Sequence, residues 1–333
     1  MSATPADVAT GQSSFDYLPV GLFGSVMGLT GLSVAWRLAQ QRYGGPEGLA
    51  LIAPALGWAA GAAFLAVLAG YAVKAATAFG AVRAEFRHPV AGALFGAPLV
   101  SLLLLPIPLA PVNLGLARVL WALGAVGMVV FAGFVVSRWM SDRQQVAHAA
   151  PTWIIPVVGL LDLPLALPSL GLPHTHGLMV FGLAVGLFFA VPLFTLIFSR
   201  LLFEPPLPDA LKPSLMILVA PFAVGSSAYQ ATTGRSDLFS DCLTMLAFFM
   251  LAVLLGQLRN LPVCCPFRVA WWAVSFPLAA CAIAALRYAA AENGPAADAL
   301  ALALLALATL VIVGLLVRTL FGLARGELRT LSA

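Results

Sequence analysis

The 333-residue sequence is 62% hydrophobic and only 9% charged, and its 17 lysines and arginines outnumber its 13 acids by 4. A soluble domain carries about a quarter charged residues, so this composition excludes a water-exposed globule, and so small a charge excess argues against nucleic acid as a partner. The four cysteines, Cys242, Cys264, Cys265 and Cys281, lack Cys-x-x-Cys spacing and read as free thiols, with no metal or cofactor implied.

In chain order, the residues before Tyr17 are polar and lack the basic start and cleavage site of a signal peptide, which predicts a retained tail over 1–16. Apolar runs then recur at 17–37, 48–73, 89–109, 112–137, 151–171, 175–199, 211–233, 238–258, 268–290 and 297–324. Each is close to the ~20 residues that cross a bilayer as helix. They predict an all-α integral membrane protein with ten spans over 17–324 and a second tail over 325–333. Pro106, Pro108 and Pro111 demand a very tight turn between the third and fourth spans, and the fifth span carries four prolines and Asp162.

Ten spans put both termini on one face. That face receives Lys74, Arg83, Arg87, Arg138, Arg143, Arg200, Lys212, Arg259, Arg268, Arg318, Arg325 and Arg329, which is 12, while Arg37, Arg42, Arg118, Arg235 and Arg287, which is 5, fall on the other. The excess of positive charge predicts cytoplasmic termini for a multi-pass protein of the plasma membrane.

Proline adds a second regularity. Pro98, Pro156, Pro221 and Pro277 lie inside odd-numbered spans with gaps of 58, 65 and 56 residues, whereas only Pro54 and Pro192 intrude on even ones. A repeat near 60 residues is two spans with their loops, so the repeating unit reads as a helical hairpin. A proline within a bilayer helix frees a carbonyl, which is tolerable where neighbours or water satisfy it, so the odd spans are the candidates for lining a passage. The first span offers Gly21, Gly24, Gly28 and Gly31 instead. Small-residue pairs at Gly57/Gly61 and Gly182/Gly186 fall in even spans and serve either contacts between protomers or packing within a hairpin.

Six segments carry a family resemblance in order: LPVGLFGSVMGLTGLSVAWR (18–37), Arg87-His88-Pro89-Val90, PTWIIPVVG (151–159), LKPSLMILVAPFAVGSSAY (211–229), WWAVSFPLAA (271–280) and LVRTLFGLARGEL (316–328). Together they resemble the TehA and plant slow-type anion channel family, also called the tellurite-resistance/dicarboxylate transporter family. The resemblance implies five helical hairpins around a central pore, with odd helices inner and even helices outer, and three protomers in a homotrimer with one pore each. It implies kinks at Pro98, Pro156, Pro221 and Pro277, and a phenylalanine plug that the Ser-Phe-Pro motif maps to Phe276, roughly 12 Å into the ninth span at helical rise. Gly21, Phe23, Phe95 and Phe222 are further candidates for lining the pore.

The expected function is a channel for small anions gated by Phe276, since a hydrophobic constriction closes a conduit by dewetting it. Arg87 and Arg268 at one mouth and Arg287 at the other are placed to steer anions. The alternative is a secondary transporter, with proton coupling through Asp162, for a C4-dicarboxylate, sulfite or tellurite-type anion. Asp162 leaves three readings open: a protonated carboxyl bonded to backbone, a proton-coupling group, or a position nearer the outer surface. His88 reads as structural, and His174 with His176 is a weak metal signal. With no P-loop, nucleophile elbow or paired carboxylates, an enzyme is not expected.

Overall fold

The computed structural model describes residues 15–259 and 265–332, so residues 1–14 of the first predicted tail, Cys264 and Ala333 lie outside the described residues. The described chain is helical, with ten helices long and apolar enough to cross a membrane: Val20–Tyr43, Glu47–Thr77, Ala91–Leu109, Leu114–Ser141, Pro151–Leu170, His176–Phe203, Asp209–Thr233, Leu238–Leu258, Val269–Glu292 and Pro295–Ala324. These are the ten expected spans. The tight turn after the third survives because Pro106 to Leu109 is itself helical and Asn113 caps the fourth span, its Oδ1 accepting from the Leu116 amide at 2.9 Å.

Most boundaries fall within four residues of the expected ones, and one differs by more. The first span runs to Tyr43 rather than stopping at Arg37, and ends at Gly44, whose φ of 65° suits glycine. Charge did not stop the helix because both arginines find partners: Arg37 Nη1 donates to the Ile107 carbonyl at 3.3 Å, and Arg42 Nε pairs with Asp298 at 2.7 Å.

Odd and even spans occupy different places. Of the most apolar stretch of each, buried residues make up 72, 61, 72, 67 and 72% in the odd spans but 17, 33, 28, 33 and 33% in the even ones. The first span packs on the third and the ninth, the third on the fifth, the fifth on the seventh and the seventh on the ninth, so the five close into a ring. Each even span packs on the odd span before it and touches the next around the ring. Outward-facing Trp58, Val126, Phe188, Phe249 and Leu310 give this outer layer the apolar surface that hydrocarbon requires.

The prolines sit differently from the expectation of kinks within α-helix. Every odd span opens as a 3-10 helix and turns into α-helix partway: at Gly24, Gly96, Ala220 and Ser275 in the first, third, seventh and ninth, and at Ile155 and again at Leu163 in the fifth. Pro98, Pro156, Pro221 and Pro277 each fall within the first three residues of the α-helical part. There the hydrogen-bond register changes from i−3 to i−4, and a residue without an N–H costs little. The seventh span carries eleven residues of 3-10 helix, Asp209–Val219, far beyond the usual three or four.

Small residues bring the ring together. A Cβ on Gly28 would overlap the side chain of Ser275, and one on Gly31 would lie 2.9 Å from Ala279 Cβ, so the first and ninth spans meet almost backbone to backbone. The open question about Gly182 and Gly186 is answered within the protomer: a Cβ there would lie 2.6 Å from the Leu160 carbonyl oxygen and 2.6 Å from Leu161, in the fifth span. Gly57 faces Pro108, while Gly61 faces open space.

Candidate functional site

A cavity of about 280 Å³ lies inside the ring. At about 30 Å³ per water it holds on the order of nine. Its lining comes from all five odd spans, beginning at Pro19, Thr152, Ala210 and Arg268 on the face where the first span starts, here the near face. The deepest lining residues are Met27, Val100, Asp162, Val224 and Pro277, so the cavity reaches about halfway along the spans. The walls are largely apolar side chains, relieved by Thr152, Ser214, the charged residues Asp162 and Arg268, and the glycines. After the tenth span the chain turns back as a short helix, Leu328–Ser332, and Leu331 and Ser332 also line the cavity.

Phe276 stands at the deep end of the cavity, only 8% exposed. It occupies the second residue of the α-helical part of the ninth span, where the backbone has just left its 3-10 form. Ser275 anchors that junction, its hydroxyl bonding to the Trp272 carbonyl at 2.6 Å within 3.1 Å of the Gly24 carbonyl. Gly31 of the first span lies beside the ring: a Cβ there would meet Phe276 Cδ2 at 3.5 Å, an ordinary van der Waals contact.

Asp162 also faces the cavity, buried at 3% exposure, as the twelfth residue of the 20-residue fifth span. This depth does not fit the reading that placed it near the outer surface. Its Oδ1 has no hydrogen-bond partner among the described residues.

The other expected site residues are scattered. Gly21 and Arg268 line the cavity, but Phe23, Phe95 and Phe222 do not. Each of those rings packs against an aromatic neighbour instead: Phe23 edge-on to Phe64 of the second span, Phe95 against Tyr71 and Phe86, and Phe222 against Phe194 of the sixth. Large rings in the odd spans thus mostly fill the seam between layers, where apolar area is buried. Arg87 is exposed on the near face, and Arg287 lies at the far end of the ninth span, away from the cavity. His88 caps the third span, with Nδ1 accepting from the Val90 and Ala91 amides at 3.2 and 3.1 Å. Among the described residues no three His, Cys, Asp or Glu side chains group as a metal site.

Residues 17–320 match the model of the family described as voltage-dependent anion channel. The chain belongs to this family. Similar members include the S-type anion channel SLAH3 of Arabidopsis thaliana, 31% identical over 81% of this chain and 43% of the relative, and the guard cell S-type anion channel SLAC1 of the same plant, 28% identical over 83% and 50%. The tellurite resistance protein TehA homolog of Haemophilus influenzae is 27% identical over 81% of both chains. The chain therefore spans about half the length of the plant members of the voltage-dependent anion channel family that it matches.

Sequence reasoning missed one group that shapes the near mouth of this family member. Glu85, between the second and third spans, accepts the Val20 amide on Oε1 at 2.7 Å and, on Oε2, the Tyr71 hydroxyl at 3.0 Å and Lys74 Nζ at 2.7 Å. Lys74, buried at 3% exposure, also donates to the Leu18 carbonyl at 2.6 Å. The pair clasps the chain on either side of Pro19, where the cavity begins. A lysine eleven residues before an acid, closing an apolar run, was the available signal.

Proposed function

We propose that the chain conducts small inorganic or carboxylate anions across the plasma membrane along the axis of the odd-span ring, and that Phe276 is the gate. The observation that carries this reading is a cavity walled by five inner spans with one aromatic ring at its deep end. Apolar walls bind an anion weakly enough to release it, and a ring across a dry neck holds the conduit shut until the side chain rotates. Arg268 at the near mouth raises the local anion concentration. The 12 to 5 division of basic residues supports a near face, with both ends of the described chain, toward the cytoplasm. In this reading three copies associate as a homotrimer through the apolar even spans, and each copy encloses its own conduit, so conduction does not depend on the neighbours.

Phe276→Ala in planar bilayers tests the gate. Each ~1.4 kcal/mol taken off the barrier raises the current about tenfold, and an unchanged conductance would overturn the assignment.

Asp162 supports a second reading, a proton-coupled transporter, because its carboxyl faces the cavity without a partner on Oδ1. An ionised carboxylate there repels anions and a protonated one does not. Anion flux is therefore expected to fall as pH rises through the ionisation of Asp162 and to be flat in Asp162→Asn. A carrier adds saturation and uphill transport driven by a proton gradient, which a channel lacks.

A further inference from the structure

The far ends of the inner spans hold a feature that the cavity does not explain. Arg37 of the first span and Arg287 of the ninth are both half-buried there, at matching heights on two spans that run side by side, with Gly28 on Ser275 and Gly31 on Ala279. Arg37 Nη1 donates to the Ile107 carbonyl of the third span at 3.3 Å, and Arg287 Nη1 to Gln230 Oε1 of the seventh at 3.4 Å. Two guanidinium groups thus join four of the five ring helices. Both hydrogen bonds are long and go to neutral acceptors, which leaves most of each arginine's five donors uncommitted. Arg287 Nε is buried with no hydrogen-bond partner among the described residues.

Among the described residues neither arginine makes an ion pair with a carboxylate. Asp298, on the same face, is taken by Arg42 and by the Tyr43 hydroxyl, each at 2.7 Å. Partly buried like charges without a counter-ion are unfavourable twice, through lost hydration and through mutual repulsion, and an anion between them relieves both. The planar N–H fork of a guanidinium matches an oxyanion edge better than a sphere.

We propose that Arg37 and Arg287, with Gln230, form a binding site for a small inorganic anion, oxyanions ahead of halides, at the far end of the ring. The site rests on the conduit reading only in being its outer station, since its own geometry requires no conduction.

The test uses the purified full chain in detergent, with sodium chloride and sodium nitrate as probes. Chlorine NMR linewidth reports bound chloride, and nitrate is titrated to displace it. The wild type is expected to broaden the signal and to release it to nitrate at lower concentration than to added chloride. Losing one charge-assisted contact in Arg287→Gln or Arg37→Gln is expected to raise the displacing nitrate concentration about tenfold. Arg118→Gln removes a far-face arginine that donates to the Leu170 carbonyl and is expected to bind as wild type. Folded glutamine variants that match wild type would overturn the site, and so would an equal loss in Arg118→Gln. If the glutamine variants do not fold, Arg287→Lys decides: it keeps the charge but not the fork, so chloride binding should persist while the nitrate preference falls, and an unchanged preference would overturn the proposal. Current in planar bilayers without this binding defeats the site and leaves the conduit standing; binding without current does the reverse.

Discussion

The odd and even spans of this chain are both apolar enough to cross a bilayer, yet they are built to different rules. The even ones are long α-helices with large side chains turned outward, each laid on two inner helices. The odd ones begin as 3-10 helix, change register beside a proline or glycine, and face one another through small residues. Hydropathy responds to the common requirement of lipid, whereas backbone form responds to what a helix must surround. A ring of five helices around a cavity needs narrow, closely approaching segments, and 3-10 helix with glycine and proline supplies them.

The largest effect is expected where the outer layer is clasped to the ring by charge. Glu85→Ala leaves Lys74 buried at 3% exposure without its carboxylate and strips the Val20 amide of its acceptor. Removing one partner of a buried pair costs about 3–5 kcal/mol. Thermal unfolding in detergent should therefore show a large drop in midpoint. A small drop would mean that the layers hold together by apolar packing alone.

A paired substitution separates the layers directly. Gly28→Val in the first span forces a side chain into Ser275 of the ninth, and overpacking of this kind costs about 1–3 kcal/mol, or more where backbone must move. Gly61→Val in the second span meets nothing within 4 Å and should change stability by no more than about 0.5 kcal/mol. Equal losses from the two would erase the distinction between inner and outer helices.

What the sequence disclosed and what it hid follow the same division. The ten spans were legible because membrane helices obey length and hydropathy, and the proline spacing separated odd from even because the register changes recur with the hairpins. The first span's end was misjudged because Arg37 and Arg42 carry charge, and no local pattern shows that Ile107 and Asp298 will come to meet them. Phe276 was found through the Ser-Phe-Pro motif, and it lies at the cavity. Phe23, Phe95 and Phe222 were chosen by residue type, which does not say whether a ring faces inward or into the seam. The Glu85–Lys74 clasp joins residues 11 positions apart, and the hydrogen bonds of Arg37 and Arg287 reach residues 70 and 57 positions away. Contacts between helices of this kind depend on rotation about each helix axis, which hydropathy does not fix.

The smallest expected effect lies at a loop between the layers on the far face, where the chain leaves the inner seventh span and enters the outer eighth. Asp237 caps the eighth span, its Oδ1 accepting from the Phe239 and Ser240 amides at 3.1 and 3.4 Å, while Oδ2 accepts from the Tyr229 hydroxyl of the seventh at 2.7 Å. These hydrogen bonds, the Tyr229 bond foremost, hold its carboxyl below the usual carboxylate range. A folded-state pKa below the unfolded one, about 3.9, means the contribution is full above that value and is lost as pH falls through the folded one. Asparagine also caps helices well, so Asp237→Asn removes chiefly the charge. Thermal unfolding should place the variant slightly below wild type at neutral pH, with the gap closing on acidification. A gap that persists in acid would show that Asp237 joins inner to outer span through geometry rather than charge.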